Sequence, residues 1–246
     1  MKNALSIYGQ LRGDKTTWDS ILKYLIYPLN ADVFIHTWSA IENKYYVHNI
    51  SKFIDTYNDS ESYKIWYEQQ LLRQCTSTKN LQECINIVNP KKILIEEQII
   101  FNNEEYFDNN SNTVLNEAIS YQNAISQSFS RQKSINLIID YEKENLIKYD
   151  NIYQTRSDIL FENFVIPINK NGIYSNFIND TLYYGDRNSM IKFSNMYDEY
   201  FKLLLFQKDL NIAFMEIHID NYIKKLGINK NIIILPFTNN GIKRCL

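Results

Sequence analysis

Short apolar segments alternate with longer segments of helical periodicity along most of the chain. Residues 4–8 form a compact apolar segment typical of a buried strand, and a glycine-containing turn follows it. From 18 to 29 apolar residues recur three or four positions apart, which predicts a helix with Thr16 or Thr17 as its N-cap. Ala31–Trp38 is a second predicted strand. The chain therefore opens with a strand, turn, helix, strand unit.

The same alternation continues to the C-terminal part of the chain. Lys92–Glu96 has a strand pattern, and residues 114–149 have the periodicity of one long helix. Strands that alternate with helices predict an α/β fold with a Rossmann-like, mixed and mostly parallel sheet flanked by helices. Further strands are predicted at 152–155, Ile159–Phe161, 172–174, 181–184 and 232–236, and further helices at 190–206 and 212–226, the last ended by Gly227.

The middle of the long predicted helix is unusually polar. Solvent exposure explains most of its polar positions, although Gln127, Arg131 or Ser134 could instead face a polar cavity. The polar positions are Gln122, Ser126, Gln127, Ser128, Ser130, Arg131, Lys133 and Ser134.

The chain length, 246 residues, fits one large domain, and we expect a single domain over 1–246. Residues 42–80 are polar and tyrosine-rich and lack the alternation of sheet strands, so we expect a polar helical insertion around 41–88. Cys75, Cys84 and Cys245 show neither disulfide nor zinc spacing and are interpreted as ordinary thiols.

Charge and hydropathy exclude two classes of function. The net charge is −2 and both signs are mixed along the chain, so the protein lacks the basic footprint that binding to nucleic acid requires. The apolar runs are too short to cross a bilayer, and Met1 leads into a strand rather than a signal peptide. We therefore expect a cytoplasmic protein.

The segment at 149–161 is the strongest candidate for chemistry. Arg156 and Asp158 stand between two apolar stretches, and opposite charges in such a setting are paired, bind a metal or bind a ligand. The simpler interpretation is an ion pair that closes the edge of a strand. Hard cations such as Mg²⁺ or Mn²⁺ suit carboxylates, and Asp158 is the carboxylate whose setting favours such a role.

Ligands of open α/β sheets bind at the carboxyl ends of strands, which draws attention to the turn at 9–13 and to the end of Ala31–Trp38. The turn lacks both the dinucleotide and the Walker glycine patterns, yet Arg12 could contact a phosphate as readily as solvent. His36 is either a general base or a hydrogen-bonded core residue. No serine-hydrolase or zinc-protease motif occurs.

Four motifs together resemble a family of bacterial polysaccharide glycosyltransferases that is similar to GT-A enzymes. They occur in the family's order over roughly residues 4–226, and the second and third are the most distinctive. They are the strand followed by Gly-x-x-Arg at 9–12, ADVFIHTW at 31–38, YD(x)5RSDILF at 149–161 and ND(x)3YGD at 179–186.

The resemblance implies a GT-A-like fold and a nucleotide-sugar donor. Gly9 and Arg12 would lie against the nucleotide, and Asp158 would stand where the last carboxylate of the family's DxD motif holds a metal. Arg156 replaces the first aspartate, which leaves Mn²⁺ or Mg²⁺ dependence open. The expected donor-contacting residues are Gly9, Gln10, Arg12, His36, Thr37, Arg131, Arg156 and Asp158.

The resemblance also implies an acceptor and a base. The acceptor would be a growing capsule, lipopolysaccharide or related glycan, or a lipid-linked glycan, with peripheral contact with the inner membrane left open. Asp180 and Asp186 flank a predicted strand beside the expected site, which would place them near Asp158. Asp186 is ranked above Asp180 and Glu216 as the catalytic base. Two alternatives remain, a phosphotransferase or nucleotidyltransferase that uses the same strand ends, and a non-catalytic sugar-binding protein.

Overall fold

The described strands form one seven-stranded sheet and one two-stranded sheet in a computed structural model of the protein. The structure describes residues 1–39, 78–97, 99, 112–162, 172–176, 182–201, 215–228, 230–233 and 242–244. The strands are β1 (Asn3–Tyr8), β2 (Ala31–Trp38), β3 (Lys92–Glu96), β4 (Asn151–Arg156), β5 (Ile159–Phe161), β6 (Ile173–Asn176), β7 (Leu182–Asp186), β8 (Lys230–Ile233) and β9 (Ile242–Arg244).

The larger sheet has the order β3-β2-β1-β4-β7-β6-β8. β1 pairs in parallel with both β2 and β4, and β7 is antiparallel to its two neighbours, β4 and β6. The α/β class with a mixed, mostly parallel sheet is therefore confirmed. The strand order reverses between β1 and β4, because β2 and β3 extend to one side of β1 while β4 lies on the other. In open α/β sheets such a reversal marks the ligand-binding crevice.

Helices lie on both faces of the sheet. Asp14, rather than Thr16 or Thr17, caps the first helix, since its carboxylate accepts a hydrogen bond from the backbone N–H of Thr17 at 2.9 Å. The helix thus starts at Lys15, about one turn before Trp18, where the apolar periodicity begins. The helices are α1 (Lys15–Ile21), a π-helical segment (Leu22–Ile26), α2 (Tyr27–Leu29), α3 (Thr78–Val88), α4 (Asn112–Asn145), α5 (Arg187–Ser194), a second π-helical segment (Tyr197–Phe201) and α6 (Met215–Lys225).

The two faces of the sheet differ in chemistry. Leu5 and Ile7 of β1 belong to an apolar cluster with Trp18, on the face that α1 covers. The alternate positions point to the other face, where α4 lies, and there Ser6 interrupts the apolar cluster with a buried hydroxyl. This polar interruption on the α4 face is central to the site described below.

Several predicted elements keep their type but change their limits. The helix predicted at 190–206 is α5 followed by the π-helical segment, and Ile159–Phe161 does not continue β4 but pairs with β9. Gly227 ends α6 in the left-handed conformation, with φ of 62°, as predicted. Residues 41–77 of the expected insertion lie outside the described residues, as does Asp180. Within the described part of the chain, no helix has both the length and the apolar character of a membrane span.

Gly13 provides a test of how closely the first turn packs on the centre of the sheet. A Cβ atom at this position would lie 2.5 Å from the backbone oxygen of Ser157. We expect Gly13→Ala to lower the free energy of unfolding by about 1 to 3 kcal/mol, as overpacking does, in urea denaturation. Thr16→Ala, at an exposed position of α1, is the control and should change the value little. Equal stability of the two variants would contradict the close packing.

Candidate functional site

The turns that follow β1 and β4 meet at the point where the strand order reverses. Tyr8, the last residue of β1, is paired with Arg156, the last residue of β4. The Ser157 hydroxyl donates to the backbone oxygen of Gln10 and lies 3.4 Å from the backbone N–H of Arg12. These contacts join the turn at 9–13 to the turn at 156–158. We call the two turns together the switch-point edge.

Gly9 allows the chain to leave β1 in the required direction. Its φ is 87°, in the region that side-chain-bearing residues rarely adopt. Its N–H donates to the Ser130 hydroxyl at 2.8 Å, so α4 fixes the start of the turn. Of the residues expected to contact the donor, the structure therefore brings Gly9, Gln10, Arg12, Arg156 and Asp158 together.

Arg156 and Asp158 form a two-pronged ion pair at the edge. The Nε and one terminal nitrogen of Arg156 donate to the two carboxylate oxygens of Asp158 at 2.8 and 2.6 Å. The side chains are only 18% and 8% exposed, so solvent screens the pair less than at an open surface. This is the simpler of the two interpretations that the sequence allowed.

The ion pair bears on the expected metal. Both Asp158 oxygens accept from Arg156, so a cation bound there would share the carboxylate with a guanidinium and use the lone pairs that the ion pair leaves. Among the described residues, no three His, Cys, Asp or Glu side chains gather in a group that could hold a metal ion. The described residues therefore supply one carboxylate here, beside a cation, and the metal at Asp158 stays a prediction.

His36 and Thr37 lie in the core, not on the wall of a cleft. Both are fully buried, and the imidazole connects Ser130, at 2.6 Å from Nδ1, with Glu96, at 2.9 Å from Nε2. Because a carboxylate only accepts, Nε2 carries the proton and Nδ1 accepts from the Ser130 hydroxyl. Burial lowers the pKa of His36 to about 4, against the opposing effect of Glu96. His36 is therefore neutral at pH 7 and organises the core behind Gly9.

The polar middle of α4 faces the sheet, which corrects the expectation that solvent accounts for most of it. Ser130, Arg131 and Ser134 are at most 3% exposed. The Ser134 hydroxyl lies 2.6 Å from that of Ser6, and the side-chain amide of Gln154 donates to the backbone oxygen of Arg131 at 3.1 Å. Half-buried Gln127 donates to the Tyr8 hydroxyl at 3.4 Å. The stripe of small serines lets α4 approach β1 and β2 closely.

Among the residues predicted to contact the donor, Arg131 has an unusual environment, because its guanidinium lies among aromatic rings. Its Nε donates to the side-chain oxygen of Gln154 at 3.1 Å, and its guanidinium carbon lies 5.1, 4.5 and 4.8 Å from the ring centres of Tyr8, Tyr183 and Phe193. Each such contact stabilises a cation by about 0.5 to 2 kcal/mol. Desolvation of the ion costs several kcal/mol.

Asp186 does not lie beside the switch-point edge, which corrects the expected proximity to Asp158. In the antiparallel register Asp186 opposes Asn151, at the beginning of β4, five residues and about 16 Å from Arg156. Its carboxylate caps α5 by accepting from the Ser189 N–H and also accepts from the Gly172 N–H. Burial alone would raise the pKa of Asp186, but these hydrogen bonds outweigh it and lower the pKa. A capped carboxylate with a lowered pKa is a poor general base.

The surroundings of the other two proposed bases are less fully described by the structure. Asp180 lies outside the described residues, and Glu216 falls in the second position of α6. Sequence reasoning missed Ser157, Ser130 and Gln154 as residues that build the edge. The signal for Gln154 was present, since a glutamine in the middle of a buried strand needs a polar partner.

Comparisons with known proteins do not assign this chain to a family. No family model matches the sequence, and no curated protein matches it. Among solved structures, 37 chains match. One is the crystal structure of a nucleoside-diphosphate-sugar pyrophosphorylase from Vibrio cholerae RC9, with 12% identity, a TM-score of 0.40, and coverage of 99% of this chain and 95% of that one. At this TM-score the likeness adds nothing to the assignment of the site, which depends on the geometry above.

The buried imidazole predicts a pH dependence of stability. The unfolded chain binds a proton at His36 near pH 6.5 and the folded chain only near pH 4. Stability should therefore be complete above about pH 6.5 and fall as the pH drops towards 4, by up to about 3 kcal/mol. Denaturant unfolding across this range would measure it. Because carboxylates as a class also titrate in the lower part of this range, the prediction concerns the difference between the protein and His36→Gln. The curve of His36→Gln should be flatter. Parallel curves would contradict the neutral buried imidazole.

Proposed function

We propose that the protein transfers a sugar from a nucleoside-diphosphate sugar to a surface glycan or lipid-linked acceptor, with the diphosphate bound at the switch-point edge. One observation carries the proposal: the turns at 9–13 and 156–158 are joined where the strand order reverses. That place in an α/β sheet is where nucleotides bind.

The chemistry of glycosyl transfer fits the groups at this edge. Negative charge develops on the departing diphosphate, and preorganised N–H groups and cations stabilise it. Arg12 and Arg156 supply two cations. A Cβ atom built at Gly9 would meet nothing within 4 Å, which leaves space for a phosphate beside the backbone of this residue. Arg156 already holds Asp158, so a diphosphate would compete with that carboxylate for the guanidinium.

Nucleotidyl transfer is the second candidate, and the state of the carboxylate at the edge favours it. Asp158 is held by Arg156. Glycosyl transfer to a hydroxyl with inversion needs a base, whereas a sugar phosphate attacks as an oxygen that is already ionised. A reaction of that kind can proceed at an edge whose carboxylate is engaged.

Product analysis separates the two reactions. The protein is incubated with nucleoside-diphosphate sugars and, separately, with nucleoside triphosphates plus sugar 1-phosphates, each with and without Mn²⁺. Glycosyl transfer predicts release of nucleoside diphosphate in the first set, with water accepting the sugar because no glycan is added. Nucleotidyl transfer predicts release of pyrophosphate and formation of a nucleoside-diphosphate sugar in the second. In either case Arg12→Ala should weaken nucleotide binding about 10- to 150-fold, the loss of one charge-assisted contact. Turnover of neither substrate set, or unchanged binding in Arg12→Ala, would overturn the proposal.

A further inference from the structure

Two other largely buried arginines of the described structure are neutralised by carboxylates, and Arg131 is not. Arg156 is paired with Asp158, and Arg187 is paired with Glu142, whose carboxylate oxygen lies 2.7 Å from a terminal nitrogen. Arg131 is 3% exposed and has no ion pair with a described residue. The more deeply buried cation is thus the one without a carboxylate.

The hydrogen bonds of Arg131 leave one side of the guanidinium open. Nε donates to Gln154, but neither terminal nitrogen has a hydrogen-bond partner among the described residues, although both are buried. Buried N–H groups in folded proteins are nearly always bonded. Because the fork is planar, the two terminal nitrogens present parallel donors that match two oxygens of one acceptor.

We propose that Arg131 binds an oxyanion, a phosphate or a carboxylate group, through its two terminal nitrogens. One such group would supply the missing negative charge and accept both unpartnered donors. The three rings of Tyr8, Tyr183 and Phe193 contribute attraction to the cation but accept no in-plane N–H. The ring contacts therefore explain how a cation without a carboxylate is stabilised in the core. They do not explain why its terminal N–H donors lack hydrogen-bond partners.

This oxyanion site is distinct from the switch-point edge. The anchor of the guanidinium, Gln154, precedes Arg156 by two residues on the same face of β4, which is about 6 to 7 Å along the strand. Tyr8 links the two places, because its ring contacts Arg131 and its backbone is paired with Arg156. The site does not depend on which reaction the edge performs.

Titration of the protein with simple oxyanions tests the site. Sodium phosphate, pyrophosphate and acetate are compared with sodium chloride at equal ionic strength by thermal unfolding, and affinities are measured by calorimetry. We expect at least one oxyanion to raise the melting temperature saturably, as a ligand of the native state does. Preference for phosphate or for acetate identifies the chemical class of the natural group.

Two variants of Arg131 and two controls locate the bound anion. Arg131→Met removes the cation. Arg131→Lys keeps a cation near the rings but removes the planar pair of donors. The lysine variant therefore remains informative if the methionine variant fails to fold. Each should weaken oxyanion binding at least tenfold. Arg187→Met, which removes an arginine paired elsewhere, should leave the affinity unchanged.

Arg12→Ala separates this site from the edge. A loss of oxyanion binding in Arg12→Ala with full binding in Arg131→Lys would place the anion at the edge and overturn the proposal. Absence of any oxyanion effect beyond that of chloride would also overturn it. The proposed transfer reaction would be untouched by either result, because its own test depends on product release and on Arg12.

Discussion

The parallel pairing of β1 with β4 sets the position of the two turns that follow these strands. It places Tyr8 opposite Arg156, so the two following turns leave the sheet side by side. Gly13 then packs against the backbone of Ser157, and the Ser157 hydroxyl bonds to Gln10. A slip of one residue in this register would place Ser6 and Gln154, which are now paired, on opposite faces of the sheet. Register, turn geometry and the candidate site are therefore one feature of the fold.

A buried polar layer between α4 and the sheet secures this register. Ser130 links the Gly9 backbone to His36, and Gln154 links β4 to Arg131. Hydrogen bonds of this kind add little net stability, but breaking one leaves a buried group unsatisfied, which disfavours alternative arrangements. The layer explains how a helix with a polar middle packs against the sheet. It also brings Arg131 close to the edge where we propose that the diphosphate binds.

Local pattern was sufficient to predict the class of the fold and the meeting of the two turns. Two strands have the predicted limits, Ala31–Trp38 and Lys92–Glu96, because short apolar segments bounded by turn residues can be recognised in the sequence. The pairing of Arg156 with Asp158, close in sequence, was one of two open interpretations. Contacts between distant parts of the chain could not be predicted. The place of Asp186 depends on β7 being antiparallel, which no residue of that strand indicates. The polarity of α4 was read as exposure because periodicity does not show that the opposing sheet face is polar.

Amide hydrogen exchange with and without a nucleoside diphosphate shows whether the nucleotide binds at the switch-point edge. If it does, the ligand should slow exchange in peptides covering residues 9–13 and 156–158, where backbone N–H groups border the proposed diphosphate. Peptides covering the opposite edge of the sheet, at 149–151 and 186–189, should be unaffected. Protection confined to that opposite edge, or no protection with the nucleotide in excess, would contradict it.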